Sequence, residues 1–324
     1  MKKIIKQCED HHRILNNSFE NLFINNRKPI LIKSYFNNIT SDFFIIRSFI
    51  VFLATIKIII DINSCLKNKN NNIVLREFWN IPFIFLYPFF FFYRSRIFLN
   101  INHNFSKNKS IKLSMLILIY LRYKFIFFDG SAAIAKLPIK LSNNIFTPLF
   151  PCKPKYDFNK NSIAENLIGF VGDFRREKSL NNETVQVINS LLNNGLKVVI
   201  GYRYTRPTNL VSHKNLLLVS TLDHVSYHLF LKSISILIVI GDMDKYYFRH
   251  SGTIMDAISF GVIPVVPNYP VFTSQVSLPN IVGQTYNSLF EIKDIIYKIN
   301  ESKKIFHISR VSYLNTRSES FNLF

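Results

Sequence analysis

From residue 165 onward the chain alternates short, continuous apolar runs with amphipathic stretches. Leu167-Ile168-Gly169-Phe170-Val171-Gly172 reads as a buried strand ending on glycine. Glu183 to Asn193 has helical spacing, and Asn194-Gly195 supplies a stop. Lys197 to Gly201 and Leu216 to Ser220 read as the next two strands. Asp223 to Lys232 is expected to form a short helix with Val225, Leu229 and Leu231 on its apolar side. A strand over Ser235 to Gly241 follows, then a helix over Gly252 to Phe260, a strand over Val262 to Val266 and a closing helix over Tyr286 to Asn300. Apolar strands alternating with helices predict a parallel sheet covered on both faces.

The first half is less regular. Ile30 to Tyr35, Asn72 to Arg76, Phe83 to Leu86, Arg96 to Asn100 and Phe125 to Phe128 are candidate strands, and Ser48 to Leu66 a candidate helix. A proline-bearing stretch, Asn143 to Asn161, holds Pro148, Pro151 and Pro154 and reads as a linker. At 324 residues the chain is long enough for two domains. The division expected is 1–150 and 151–324, both α/β.

Apolar residues make up 48% of the chain, enough for two cores, and 32 Phe and 15 Tyr carry most of the aromatic content. The net charge of +20 is uneven: residues 1–150 hold 21 Lys/Arg against 7 Asp/Glu, residues 151–324 hold 19 against 13. A basic half suits an anionic partner, whether nucleic acid, an acidic membrane surface or a phosphorylated substrate. Cys8, Cys65 and Cys152 are odd in number and in no metal spacing, which implies a reducing compartment. The opening residues do not read as a signal peptide. The apolar run Pro82 to Tyr93 is shorter than the roughly twenty residues that span a bilayer. It is expected to be a buried strand or helix, with surface-lying membrane contact left open.

Candidate chemistry concentrates in two places. Gly172-Asp173-Phe174-Arg175-Arg176-Glu177-Lys178 follows the first strand of the second half. Tyr247-Phe248-Arg249-His250-Ser251-Gly252-Thr253-Ile254-Met255-Asp256-Ala257 enters a helix through small residues, with Gly261 and Pro264 beyond it. The N-terminus of such a helix directs backbone N–H groups and a positive dipole end at one point, which suits phosphate. Ligands of open parallel sheets sit beyond the carboxyl ends of the strands. The loops after Gly172 and Gly241 are therefore expected to meet there. Arg175 brings a planar fork of donors and Lys178 a point charge. Each alone reads as an ordinary surface charge; the paired motifs give them a function.

The two motifs resemble those of GT-B glycosyltransferases, closest to the retaining glycosyltransferase family 4 and relatives that build bacterial surface polysaccharides. The first resembles that group's Gly-x-Ile-Arg-x-Tyr-Lys turn. The second resembles its donor loop and helix. The resemblance covers about 165–300. It implies two Rossmann-like β/α/β domains facing a central cleft, an N-terminal acceptor domain and a C-terminal nucleotide-sugar domain. It implies transfer of a hexose-type sugar, with retention, to a lipid-linked or oligosaccharide acceptor, at the cytoplasmic face of the plasma membrane. It also implies a role in surface polysaccharide, O-antigen or capsule synthesis, with peripheral membrane contact. No cofactor, no catalytic metal and no nucleic-acid partner are implied. Residue by residue, Arg175 and Lys178 would stabilise the departing diphosphate. Gly172, Tyr247, Arg249, Ser251, Gly252 and Thr253 would line the donor site, and Asp256 would hold ribose. His103, in Phe98-Leu99-Asn100-Ile101-Asn102-His103-Asn104, would approach the reacting sugar from the acceptor side. Phe248 stands where relatives carry a glutamate, so the sugar is left open.

Two other readings compete. Asp242-Met243-Asp244 after an apolar strand is the Asp-x-Asp of metal-dependent glycosyltransferases. The basic, aromatic-rich composition also fits a nucleic-acid binder, but the aromatics cluster in apolar runs and no known module stands out.

Overall fold

The computed structural model describes residues 29–32, 56, 59–67, 72–75, 80–101, 113–135, 144–155, 167–172, 182–203, 206–207, 209–241 and 243–319. The chain divides into two compact units, Met1–Pro151 together with Glu319–Phe324, and Cys152–Ser318.

The first unit holds a parallel sheet of strands β1 (Pro29–Ile32), β2 (Asn72–Leu75), β3 (Ile97–Asn100), β4 (Lys124–Ile126) and β5 (Ile145–Phe146), paired in that order. Ile73, Val74 and Leu75 are all buried, as are all four residues of β3. Burial on both faces is what turns these strands into unbroken apolar runs. Helices α1 (Asn80–Phe85), α2 (Tyr87–Phe90), α3 (Leu113–Tyr120) and α4 (Ser131–Ala135) belong to this unit. Residues 59–66 are also helical.

Phe83 to Leu86, expected as a strand, lies instead in α1 and the turn after it. Phe83, Leu86 and Phe90 are buried at i, i+3 and i+7, a helical spacing that a continuous apolar run conceals. The expected linker also shrinks: β5 lies inside it, and the Phe150 N–H donates to Asp129 Oδ1 at 3.4 Å. Among the described residues no helix is long and apolar enough to cross a membrane.

The second unit holds strands β6 (Leu167–Gly172), β7 (Lys197–Tyr202), β8 (Leu216–Ser220), β9 (Ile236–Ile238), β10 (Ile263–Pro267) and β11 (Gln284–Tyr286). All pair in parallel, in the order β11-β10-β9-β6-β7-β8. The winding runs outward from β6 to β8, then reverses and runs outward again from β9 to β11. That is the doubly wound dinucleotide-binding topology, with its reversal between β6 and β9. Helices α5 (Asn182–Asn193), α6 (His224–Ser233), α7 (Met243–Tyr246), α8 (Gly252–Ser259), α9 (Pro270–Ser277) and α10 (Ile292–Glu319) complete it.

Val187, Ile188, Leu191 and Leu192 of α5 pack with Ile168, Phe170, Val198, Ile200, Ile236 and Ile238 in one core. Helix α5 ends as its sequence requires. Gly195 has φ +75°, and the Leu196 N–H donates to the Leu191 carbonyl at 3.1 Å. Gly261 (φ +85°) stops α8 in the same way, with the Val262 N–H on the Ala257 carbonyl at 2.9 Å.

Helix α6 corrects the expected apolar side. Asp223 caps it through a capping box with Ser226, and Phe230 and Leu231 are buried, but Val225 and Leu229 are 69% and 60% exposed. Its mixed sequence has no dominant apolar stripe, so three apolar residues picked from it do not define a face. Tyr286, expected in the closing helix, lies in β11, and that helix spans Ile292–Glu319.

Candidate functional site

The site is fixed first by strand register. Phe170 of β6 lies opposite Ile238 of β9 in a parallel pair, so both strands release their chains at the same edge of the sheet. Gly172 ends β6 there. The loop after it, including Arg175 and Lys178, lies outside the described residues, as do His103 and Asp242. The other chain continues from β9 through Val239, Ile240 and Gly241 to α7 and α8.

Two tyrosines hold the exit from β9. Tyr286 Oη donates to the Val239 carbonyl at 2.9 Å, and Tyr269 Oη to the Gly241 carbonyl at 2.7 Å. Burial pushes the Tyr286 phenol up, so it remains a donor at neutral pH. The Tyr247 ring packs at 4.8 Å from Phe248 and 5.9 Å from Tyr269. The Arg249 guanidinium lies 5.3 Å from the centre of the Tyr246 ring. Phe248 is buried and serves the core. His250 is pushed down to about 3 by burial and by the guanidinium groups of Arg317 and Arg249, and is neutral at pH 7.

Ser251 is the N-cap of α8, but its side chain makes no capping bond. Its backbone is clamped by Gln275 of α9. The Ser251 N–H donates to Gln275 Oε1 at 3.0 Å, and Gln275 Nε2 donates to the Ser251 carbonyl at 3.0 Å. Gln275 is fully buried, and its own carbonyl accepts from Tyr313 Oη. The Ser251 amide is thus committed to the protein rather than turned toward phosphate. The first-turn amides of Gly252 and Thr253, which an α-helix leaves without internal partners, carry the positive end. A side chain at Gly252 would meet open space, so the backbone there is approachable.

Arg317 supports this arrangement from behind. It donates to the Leu278 carbonyl at 2.6 and 3.1 Å and to the Ser274 carbonyl at 3.4 Å, at the C-terminal end of α9. A cation at that end satisfies carbonyls that the helix leaves over and fixes the helix that bears Gln275.

Asp256 faces a second group of side chains. Lys155 Nζ lies 2.7 Å from its Oδ1, and the carboxylate acts on the buried phenol of Tyr227. Burial and the Asp256 carboxylate push the Tyr227 phenol well up, which keeps it a donor. The His228 ring lies 4.9 Å from that of Phe260, tilted by 46°. Burial and the charge of Lys155 push its imidazole down. The Lys155 N–H also donates to the Ser259 carbonyl at 3.0 Å. Cys152 Sγ lies 3.2 Å from Ser259 Oγ, and burial pushes its thiol up to about 11.

Lys155, Tyr227 and Gln275 were not singled out in the sequence. Lys155 sits in what reads as a linker, and a lone Tyr or Gln inside a helix carries no spacing signal.

The chain resembles solved structures at low identity. HepE from Anabaena in complex with UDP matches at a TM-score of 0.55 with 10% identity, covering 83% of this chain and 78% of that one. The pneumococcal O-GlcNAc transferase GtfA, in complex with UDP and GlcNAc, matches at 0.51 with 11% identity, covering 82% of this chain and 57% of that one. The fold is GT-B. TarM matches at 0.47 with 14% identity over 78% of this chain, and this GT-B chain spans about half of its length, 52%. No protein-family model and no curated protein matches the sequence.

Proposed function

We propose that the chain is a glycosyltransferase that moves a hexose-type sugar from a nucleotide-sugar donor to a saccharide acceptor. The observation that carries this reading is the register of β6 against β9, which brings the chains leading to both motifs out side by side at the sheet reversal. The α8 N-terminus and the open space at Gly252 follow from β9, and the sequence after β6 continues into Arg175 to Lys178. The fold match to structures holding UDP supports a nucleotide donor.

In this reading the second unit binds donor and the first binds acceptor, a growing saccharide on an anionic lipid carrier, at the cytoplasmic face of the membrane. Departure of the nucleoside diphosphate builds negative charge on its phosphate oxygens. Arg175, Lys178 and the amides of Gly252 and Thr253 act on that charge, which lowers the barrier more than it aids ground-state binding. The acceptor hydroxyl attacks from the face that the diphosphate leaves, so the anomeric configuration is retained. A phosphate oxygen takes the hydroxyl proton. His103 lines the reaction centre. Asp256 holds the ribose hydroxyls, with Lys155 fixing its carboxylate.

Mass analysis of products tests this. The chain is offered a panel of nucleotide sugars with a lipid-linked saccharide. One donor should add a single sugar mass and release its nucleoside diphosphate. Failure across donors with several bases and sugars would overturn the proposal.

A further inference from the structure

The segment from Asn80 to Tyr93 has two apolar faces, and the core uses one. Phe83, Leu86 and Phe90 are buried. Ile81, Phe85, Phe89 and Phe92 are exposed by 61%, 75%, 64% and 85% of their surface. Contiguous exposure of large apolar side chains marks an interaction surface, whereas single exposed ones are ordinary. Helices α1 and α2, of 6 and 4 residues, are far too short to cross a bilayer, so a membrane contact of this segment lies along the surface.

The charge along this part of the sequence favours an anionic partner. Between residues 78 and 128 the chain has 7 Lys/Arg and no Asp or Glu. Two of these cations sit among the rings. The Arg94 guanidinium lies 4.3 Å from the centre of Phe91 and donates to Tyr87 Oη at 3.2 Å. The Arg96 guanidinium lies 6.0 Å from the centre of Tyr93 and donates to the Leu66 carbonyl at 3.3 Å. Rings with an apolar body and a cation at the rim suit the boundary between acyl chains and anionic headgroups. A fluid acyl phase also accepts four projecting apolar side chains without a shaped counter-surface.

We propose that this face, centred on Ile81, Phe85, Phe89 and Phe92, inserts into the surface of an anionic lipid bilayer. Docking stands apart from the transferase reading, because lipid binding reports it and turnover does not.

The test uses the full chain and vesicles of phosphatidylcholine, with or without one third phosphatidylglycerol. The single tryptophan, Trp79, directly precedes α1 and provides the signal. Wild type should co-sediment with anionic vesicles, with a blue shift of Trp79 emission that brominated lipid quenches. Raising salt to a Debye length of about 3 Å should weaken binding to the level seen on neutral vesicles. Phe85→Ser/Phe89→Ser/Phe92→Ser should weaken partitioning on the order of 100-fold at unchanged thermal melting. Val225→Ser/Leu229→Ser, exposed residues of the other unit, should leave it unchanged. Equal sedimentation of wild type and the triple variant would overturn the proposal, as would equal binding to neutral and anionic vesicles. So would self-association abolished by the triple variant without any vesicle binding, which would make the face a protein interface.

Discussion

Gln275 offers a sharp test of how the helix α8 terminus is held. Its amide makes two 3.0 Å bonds to one backbone residue, one to the Ser251 N–H and one to the Ser251 carbonyl, from a fully buried position. Gln275→Met keeps the volume and removes both bonds. A buried backbone group left without a partner costs about 1–3 kcal/mol, and Ser251 is only half-buried and regains some water. The expected loss is about 2–4 kcal/mol, read as a lower urea midpoint at unchanged slope. Hydrogen exchange at Ser251 should accelerate, and nucleoside diphosphate affinity should fall roughly ten-fold as the Gly252 and Thr253 amides lose their fixed aim. Gln275→Glu separates the clamp from general packing. A protonated carboxyl can restore both bonds, whereas a carboxylate faces the Ser251 carbonyl and is desolvated, which raises its pKa. The folded state then holds a proton that the unfolded state releases above about pH 4.3, so this variant should lose stability as pH rises above that point. A Gln275→Met protein within about 0.5 kcal/mol of wild type, with unchanged exchange at Ser251, would refute the clamp.

Three further outcomes follow from the same packing. Because His250 is pushed down to about 3, the unfolded state binds one more proton than the folded state between that value and about pH 6.5. Stability should therefore fall by about 1.4 kcal/mol per pH unit on acidification through this window, and His250→Gln should remove that part of the slope in urea titrations at pH 6.5 and 5. Gly283→Ala drives its new methyl onto the Pro264 carbonyl, a backbone atom with nowhere to go, and should cost about 1–3 kcal/mol by thermal melting. Asp256→Asn gives up the 2.7 Å pair with Lys155 at little cost in stability, about 1 kcal/mol or less, while raising the donor KM more than it lowers kcat.

The second unit was largely legible because its strands are short apolar runs bounded by turn residues. Parallel burial writes that pattern directly, as in Ile168 to Phe170 and Ile263 to Val266. Glycine at positive φ was equally readable at Gly195 and Gly261, where the helices end as expected. The stretch from Phe83 to Tyr93 was not, because an almost wholly apolar segment has no period to distinguish helix from strand. Helix α6 failed on face rather than on existence: its capping box is a local sequence signal, but which side chains turn inward is set by the sheet beneath. Supports such as Gln275 and Lys155 act through contacts 24 and 101 residues away in the chain, so no local spacing announces them. The strands that lead into the Arg175–Lys178 and Ser251–Asp256 segments leave one sheet edge, as a parallel sheet requires, although β9 ends at Ile238 rather than at the expected Gly241.

The central proposal is that residues of those two segments hold a diphosphate, and calorimetry tests it most directly. Each base is offered as nucleoside, monophosphate and diphosphate to wild type, Arg175→Ala and Lys178→Ala. One base should bind at least about ten-fold tighter as diphosphate than as nucleoside, a gap of about 1.4 kcal/mol or more, and each substitution should narrow that gap. Equal affinity for nucleoside and diphosphate in wild type, or a gap untouched by both substitutions, would contradict the account.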